Sequence, residues 1–198
     1  MFVGVDDATG CLFVMPLRGK TPAAVATAIA TFKSEMDEFR KFRQLPQPLV
    51  WRLKSDLGSE FTSKEAAKFV GETAGTQEFV PKSRHVSRVE LAIQKISKGT
   101  RELLSQAGLP AKLWPFAALT FVHNFNIEAV PGWAEFMAHH EKLSERVIFG
   151  ELGFVKLGDD MQALSKSAEK GAPVCYLGPC QGMRKSCNIV YVAAKGKG

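Results

Sequence analysis

Cysteine is scarce in this 198-residue chain, and its spacing excludes two kinds of stabilisation. Cys11, Cys175, Cys180 and Cys187 are too few and too unevenly spread for a disulfide scaffold. The last three form C-x4-C-x6-C, which is not a zinc spacing, and His85, His123, His139 and His140 supply no H-x3-5-H partner. The cysteines therefore read as free thiols. No uncharged apolar run reaches membrane-spanning length, and no charged segment followed by an apolar one opens the chain. These absences predict an intracellular, soluble protein. Internal repeats and low-complexity blocks are lacking too.

What remains is ordinary globular material. Apolar residues make up 45% and the formal charge is +6, with a pI near 9.2. That excess permits an anionic partner such as nucleic acid without requiring one. "MFVGVDD" already has strand character at residue 1, so a preceding N-terminal part is expected.

Two β-rich runs, "MFVGV" and "CLFVMPL", flank Asp6-Asp7-Ala8-Thr9-Gly10, which predicts a hairpin. Thr21 as N-cap and Pro22 at the first helical position open a helix to about Arg43, with its apolar stripe at three- and four-residue steps. "LPQP" ends it and "LVWRL" is a third strand. Ser63 caps a short helix closed by Gly75, "TQEFV" is a strand, and a long helix runs from about Val86 to Ala107. "PAKLWPFAALTFVHNFN" is a third, strongly apolar helical block. The pattern predicts an α/β core over 1–126, a linker with a short helix over 127–146, and a small β-rich region over 147–198 that ends in a frayed Lys195–Gly198 tail.

The stretch "WRLKSDLGSEF" raises the chemical question. Alternation puts Trp51 and Leu53 on one sheet face and Arg52, Lys54 and Asp56 on the other. Asp56 before Gly58 suits a plain strand exit. It also suits a metal ligand held at a rigid strand end. On a helical wheel of the second long helix, Val89, Ile93, Ile96, Thr100, Leu103 and Leu104 form the buried stripe. Glu90 sits at its edge, with Gln94, Lys98 and Arg101 further round that flank. Two hard oxygen ligands at one rim are what Mg²⁺ or Mn²⁺ takes, completed by waters and phosphate oxygens. Alternatively, Glu90 simply answers the helix macrodipole. Glu60 reads as a loop residue.

"WRLKSDLGSEFTSKEAAKFV" resembles the segment around the second catalytic Asp of integrase catalytic cores from retroviruses and copia-type retrotransposons. "VPKSRHVSRVELAIQKISKGTRELLSQAGLPAKLWPFAALTFVHNFN" resembles the part that follows: a Pro-led loop, the helix bearing the catalytic Glu, and a Leu-Pro-x-x-Leu-Trp helix. "VDDATGCLFVMPLRGKTP" resembles the family's hairpin, and "VIFGELGFVKLG" with "APVCYLGP" resembles strands downstream of the copia-type core. The resemblance implies an RNase H-like mixed sheet flanked by helices, here missing its first strand. It also implies Mg²⁺- or Mn²⁺-dependent DNA strand transfer at a two-metal site. Asp56 and Glu90 match the second and third carboxylates. DNA is the implied partner; by their places beside Asp56 and Glu90, Lys54, Arg84, Arg88, Gln94, Lys98 and Arg101 are candidate phosphate contacts, with plain solvated charge the alternative reading of Arg84 and Arg88. A homo-oligomer stays open, no membrane is expected, and a functional copy would work in the nucleus.

The chain departs from that pattern in named places. The family's first Asp lies upstream of the hairpin, so Asp6 and Asp7 match hairpin positions and not that ligand. Leu57 stands where Asn is usual, Leu91 where Arg is usual, and the His-His-Cys-Cys module is absent. Three readings follow: an integrase core, a catalytically inactive remnant or domesticated module that binds nucleic acid or protein, and a nuclease of the same fold. Trp114, Phe116, Phe121 and Phe125 read as core in preference to a base-stacking platform.

Overall fold

The structure, a computed structural model, describes residues 1–48, 50–80, 87–140, 146–156, 171–179 and 188–191. Arg84, Cys180, Cys187 and the Lys195–Gly198 tail lie outside the described residues.

The chain is mixed α/β. A hairpin of β1 (Phe2–Val5) and β2 (Leu12–Met15) leads into helix α1 (Pro22–Phe42). Strand β3 (Trp51–Ser55), helix α2 (Lys64–Glu72) and strand β4 (Gly75–Phe79) follow, with β3 and β4 parallel. Helices α3 (Ser87–Ala107), α4 (Trp114–Ala129, entered through a 3-10 turn at Ala111–Leu113) and α5 (Trp133–His140) complete the larger part. Strands β5 (Leu152–Lys156), β6 (Gly171–Pro179) and β7 (Asn188–Tyr191) make an antiparallel sheet in that order.

Local chemistry set several boundaries as expected. Thr21 Oγ1 accepts from Ala24 N at 3.3 Å and Ser63 Oγ from Ala66 N at 3.2 Å, so both N-caps form. The end of α2 differs. The left-handed residue is Ala74 (φ 54), and Gly75 already belongs to β4. Gly75 is needed there for space, because an added Cβ would lie 2.6 Å from the Trp51 ring. That ring is fixed from its edge, where Trp51 Nε1 donates to Thr73 O at 2.9 Å.

The hairpin is the middle layer. Phe2 and Phe13 face α1, packing with Val25, Ala28 and Ile29. Leu12 and Val14 face the other way, onto Ala92 and Ile96 of α3 and Ala118 and Val122 of α4. Further along α1, Met36 and Phe39 meet Trp133, Phe136 and Met137. The segment expected as a linker thus begins with the end of α4 and adds α5 to the α1 face of the core. At the far end of α4, Leu113 and Ala117 pack with Phe149 and Leu177, which ties the β5–β6–β7 sheet to it.

The stripe of α3 is rotated from its expected position. Ala92, Ile96, Thr100 and Leu104 are buried, whereas Ile93 is 39% exposed. The reason is Gly99, where the Phe121 ring lies 2.1 Å from the place of an added Cβ. Helix α4 approaches α3 along that glycine and draws its flank inward. Phe121 and Phe125 stack at 6.4 Å in the same layer, as expected of core aromatics, while Trp114 sits at the rim.

The strands do not form one mixed sheet among the described residues. They make separate ladders: β1–β2, β3–β4 and β5–β6–β7. Helix α1 shows how the first two are oriented. Its early residues Val25 and Ile29 pack with Phe2, and its late residue Arg40 bonds Asp6 just past β1, so β1 runs the same way as α1. At the start of β3, Lys33 lies 5.6 Å from the Trp51 ring centroid, and beyond its end Phe61 meets Phe2 at 6.4 Å. Strand β3 therefore runs opposite to β1.

Helix α4 is apolar on nearly every side, yet its buried polar groups fix its neighbours. Asn126 receives the N–H of Leu12 at 2.9 Å and donates to the Leu12 carbonyl at 2.8 Å. Asn124 does the same for Val147, with both bonds at 2.8 Å. Thr120 Oγ1 donates to Leu177 O at 3.1 Å.

Replacing Asn126 by Ala would leave the Leu12 N–H and C=O buried without partners. We expect a loss of about 2–4 kcal/mol in urea unfolding. Asn126→Asp is expected to be no milder, since a carboxylate cannot donate to the Leu12 carbonyl. Burial also pushes the Cys11 thiol strongly up from 9.0, helped by Glu35 and Asp6, and raises Cys175. An unfolded chain ionises Cys11 near pH 9 while the native state holds its proton, and Cys175 shifts the same way. Stability is therefore complete below pH 9 and falls above it, by about 1.4 kcal/mol per pH unit for each thiol still protonated. Denaturant melts between about pH 9 and pH 10 check this, and Cys11→Ala should flatten the slope by one thiol.

Candidate functional site

A cavity of about 1100 Å³ opens between the two small ladders. Strand β1 forms one side and β3 the other. Helix α1 gives one wall through Val25, Ile29, Phe32 and Met36, and the start of α3 gives another through Arg88, Val89, Glu90 and Ile93. Asp56 and Glu90 both line it, so the two carboxylates singled out from the sequence share one cavity.

Each is placed by its element. Strand β3 alternates as expected, with Trp51 and Leu53 half-buried, Arg52 and Lys54 exposed and Ser55 buried. Asp56 leaves the strand end exposed, and its Oδ1 accepts the Gly58 N–H at 3.2 Å, the aspartate-led turn of a strand exit. One oxygen is thus engaged by the turn. Glu90 stands exposed in the first turn of α3.

Glu60 was assigned to the loop, and it is there, but it also lines the cavity half-buried. A Cβ placed on Gly58 would lie 3.0 Å from Glu60 Oε2 and 3.1 Å from Asp56 Oδ1, so the two carboxylates flank that glycine. The signal for it was the bare Cα of Gly58 between two acidic positions, which lets the turn fold back on itself. Among the described residues, no three His, Cys, Asp or Glu side chains come together as a ready cage for a metal. Mg²⁺ commonly takes only one or two carboxylates, with waters and phosphate oxygens completing six ligands. Asp56, Glu60 and Glu90 have the hard-oxygen chemistry for that mode.

The cationic residues divide. Lys54 and Arg88 line the cavity, but each has an acidic neighbour. Lys54 Nζ lies 3.5 Å from Glu78 Oε1, and Arg52 Nη1 lies 3.2 Å from the other oxygen of the same carboxylate. Arg88 Nη1 donates to Asp7 Oδ1 at 3.0 Å. Gln94, Lys98 and Arg101 do not reach the cavity. They lie on the exposed flank of α3, where Lys98 approaches Glu102 at 3.9 Å and Arg101 Nε donates to Ser97 O at 3.2 Å.

Asp6 is a structural residue of the rim. Its Oδ2 accepts from Thr9 N at 3.0 Å and Thr9 Oγ1 at 2.7 Å, closing the hairpin loop. Its Oδ1 pairs with Arg40 at 2.8 Å, with both side chains largely buried. These bonds fix β1 against the far half of α1.

No family model matches the chain, and no curated protein matches it either.

Asp6→Ala would strand the Arg40 guanidinium and open the loop. We expect a destabilisation of about 2–4 kcal/mol by denaturant melting. Asp7→Ala, at an exposed pair with Arg88, should change stability by less than about 1 kcal/mol.

Proposed function

We propose that this chain is an integrase-core-like domain of the copia retrotransposon type, with an RNase H-like arrangement lacking its first strand, and that its cavity binds a divalent cation for phosphoryl-transfer chemistry on DNA. The observation that carries this is that Asp56 and Glu90 line one cavity, from the end of a parallel strand and the first turn of the following long helix. The order hairpin, helix, strand, helix, parallel strand, helix, helix supports the same reading. Asp56 and Glu90 would hold Mg²⁺ or Mn²⁺, with Glu60 beside Asp56 as a further oxygen donor. A bound ion would supply Lewis-acid stabilisation of charge on a phosphodiester. The chain's own part is to position these carboxylates on a strand end and a helix start, both anchored to α1 and α4.

A second reading, an inactive remnant that binds nucleic acid or protein, is favoured by a separate observation. The neighbouring acidic positions are already engaged, Asp6 by Thr9 and Arg40 and Asp7 by Arg88. The site then keeps ion and phosphate contacts without a full catalytic set.

Isothermal titration with Mg²⁺ and with Mn²⁺ tests the shared claim. The wild-type chain should give a saturable isotherm, and Asp56→Asn combined with Glu90→Gln should weaken it by at least about tenfold, the loss of about 1.4 kcal/mol. An isotherm that the double substitution leaves unchanged would falsify the metal site.

A further inference from the structure

We propose that the Asp7–Arg88 pair is an autoinhibitory contact, in which the Asp7 carboxylate holds the guanidinium against the hairpin turn until a DNA phosphate displaces it. This rests on the reading above that the site takes a phosphodiester, and it adds how access to that site is regulated. It uses the surface at the start of α3 and not the interior of the gap.

Arg88 stands in the first turn of α3, two positions before Glu90, and both residues line the cavity. Asp7 reaches Arg88 from the hairpin turn. The two side chains are 66% and 73% exposed, so the pair lies in solvent at the rim. Two bonds hold Arg88 there, and both come from Nη1. One goes to Asp7 Oδ1 at 3.0 Å and the other to Asp7 O at 3.4 Å. Among the described residues, Nε and Nη2 of Arg88 donate to nothing.

The fold does not need this pair. Asp6 closes the hairpin turn, since its Oδ2 takes two bonds from Thr9 and its carbonyl accepts the Gly10 N–H at 2.8 Å. Arg40 ties Asp6 to α1. The first half of α3 is carried by Ala92 and Ile96, which are buried with Leu12 and Val14 of the hairpin and Ala118 and Val122 of α4. An exposed pair joined through one nitrogen adds little to such a frame. Its effect on ligands is larger than its effect on the fold. A cation in the first turn of a helix adds to the positive end of the macrodipole, so this place favours an anion. Glu90 answers part of that field, and Asp7 answers the guanidinium itself.

A phosphodiester answers the guanidinium better. It presents two unesterified oxygens, which match the planar fork. Exchange replaces a contact through one nitrogen by a two-point contact and leaves Asp7 to water. Because an exposed pair is weak, the contact sets a threshold and not a block, of about two- to fivefold in affinity. A lone carboxylate gains nothing over Asp7, whereas a polyanion held by its other phosphates does. Lys54, the other cation lining the cavity, is in the same position: Glu78, which does not line it, holds Lys54 and Arg52 together.

Fluorescence anisotropy with a short fluorescein-labelled DNA duplex, in Mg²⁺ at low salt, tests this on the whole chain. The proteins are wild type, Asp7→Asn, Arg88→Gln and the double substitution, with urea melts to show that all four fold alike. Asp7→Asn should bind about two- to fivefold tighter than wild type. Arg88→Gln should bind more weakly and lower the salt slope by about one unit. In the Arg88→Gln background, Asp7→Asn should change affinity by less than about 1.5-fold, since the carboxylate then has no guanidinium to withhold. Simple repulsion between Asp7 and DNA would give the same gain with and without Arg88. That result, or no gain from Asp7→Asn in a wild-type chain that binds DNA, overturns the autoinhibitory contact and leaves the phosphodiester reading standing. No binding by either wild type or Asp7→Asn overturns both together. Binding by Asp7→Asn alone, lost again with Arg88→Gln, supports the contact in its strongest form.

Discussion

A strand cannot leave its main-chain groups dry and unpaired, and this constraint shapes the centre of the protein. The hairpin β1–β2 lies between α1 on one face and α3 with α4 on the other, so water is excluded from its faces. On the β2 side, Asn126 imitates the next strand by answering Leu12 in both directions. That pair fixes how α4 lies against the hairpin. It thereby fixes α3, which approaches α4 along Gly99, and the C-terminal sheet, which Thr120 and Asn124 hold to the same helix. On the β1 side the matching edge faces a cavity, and that cavity is where Asp56 and Glu90 appear together. A strand edge closed on one side and open on the other thus organises both the core and the site.

Carboxylates in this molecule fall into two groups by what surrounds them. Asp6 is shielded and fully engaged, so it acts as a joint between β1, its loop and α1. Asp56 and Glu60 line the open gap from the turn after β3 and Glu90 from the start of α3, with Gly58 leaving room between the first two. Their chemistry is that of an oxygen rim, set on a strand end and a helix start that do not depend on the gap being filled.

The elements were legible where short-range chemistry decides them. Thr21 and Ser63 announced helix starts, the Asp-rich turn announced the hairpin, and alternation in "WRLKS" gave the correct faces. Gly75 misled because its role is space for Trp51, a contact across the strand that no local pattern encodes. The stripe of α3 misled for a related reason: the inward face is chosen by Phe121 packing onto Gly99, not by the apolar residues of α3 themselves. That Asp56 and Glu90 share a cavity could be read from the sequence because each sits at an element end. The positions of Gln94, Lys98 and Arg101 could not, since a helical flank read from sequence does not say which way the helix turns toward its neighbours.

The Leu12–Asn126 bond spans 114 positions. Contacts of such separation require most of the loop-closure entropy to be met before they form. During synthesis the hairpin emerges well before α4, and its inner edge has no partner until α4 is complete. Strands made early relative to α4 are thus locked late. Through that interval their exposed edges and Phe-rich face are the part of the chain most open to wrong partners, and chaperone contact would concentrate there.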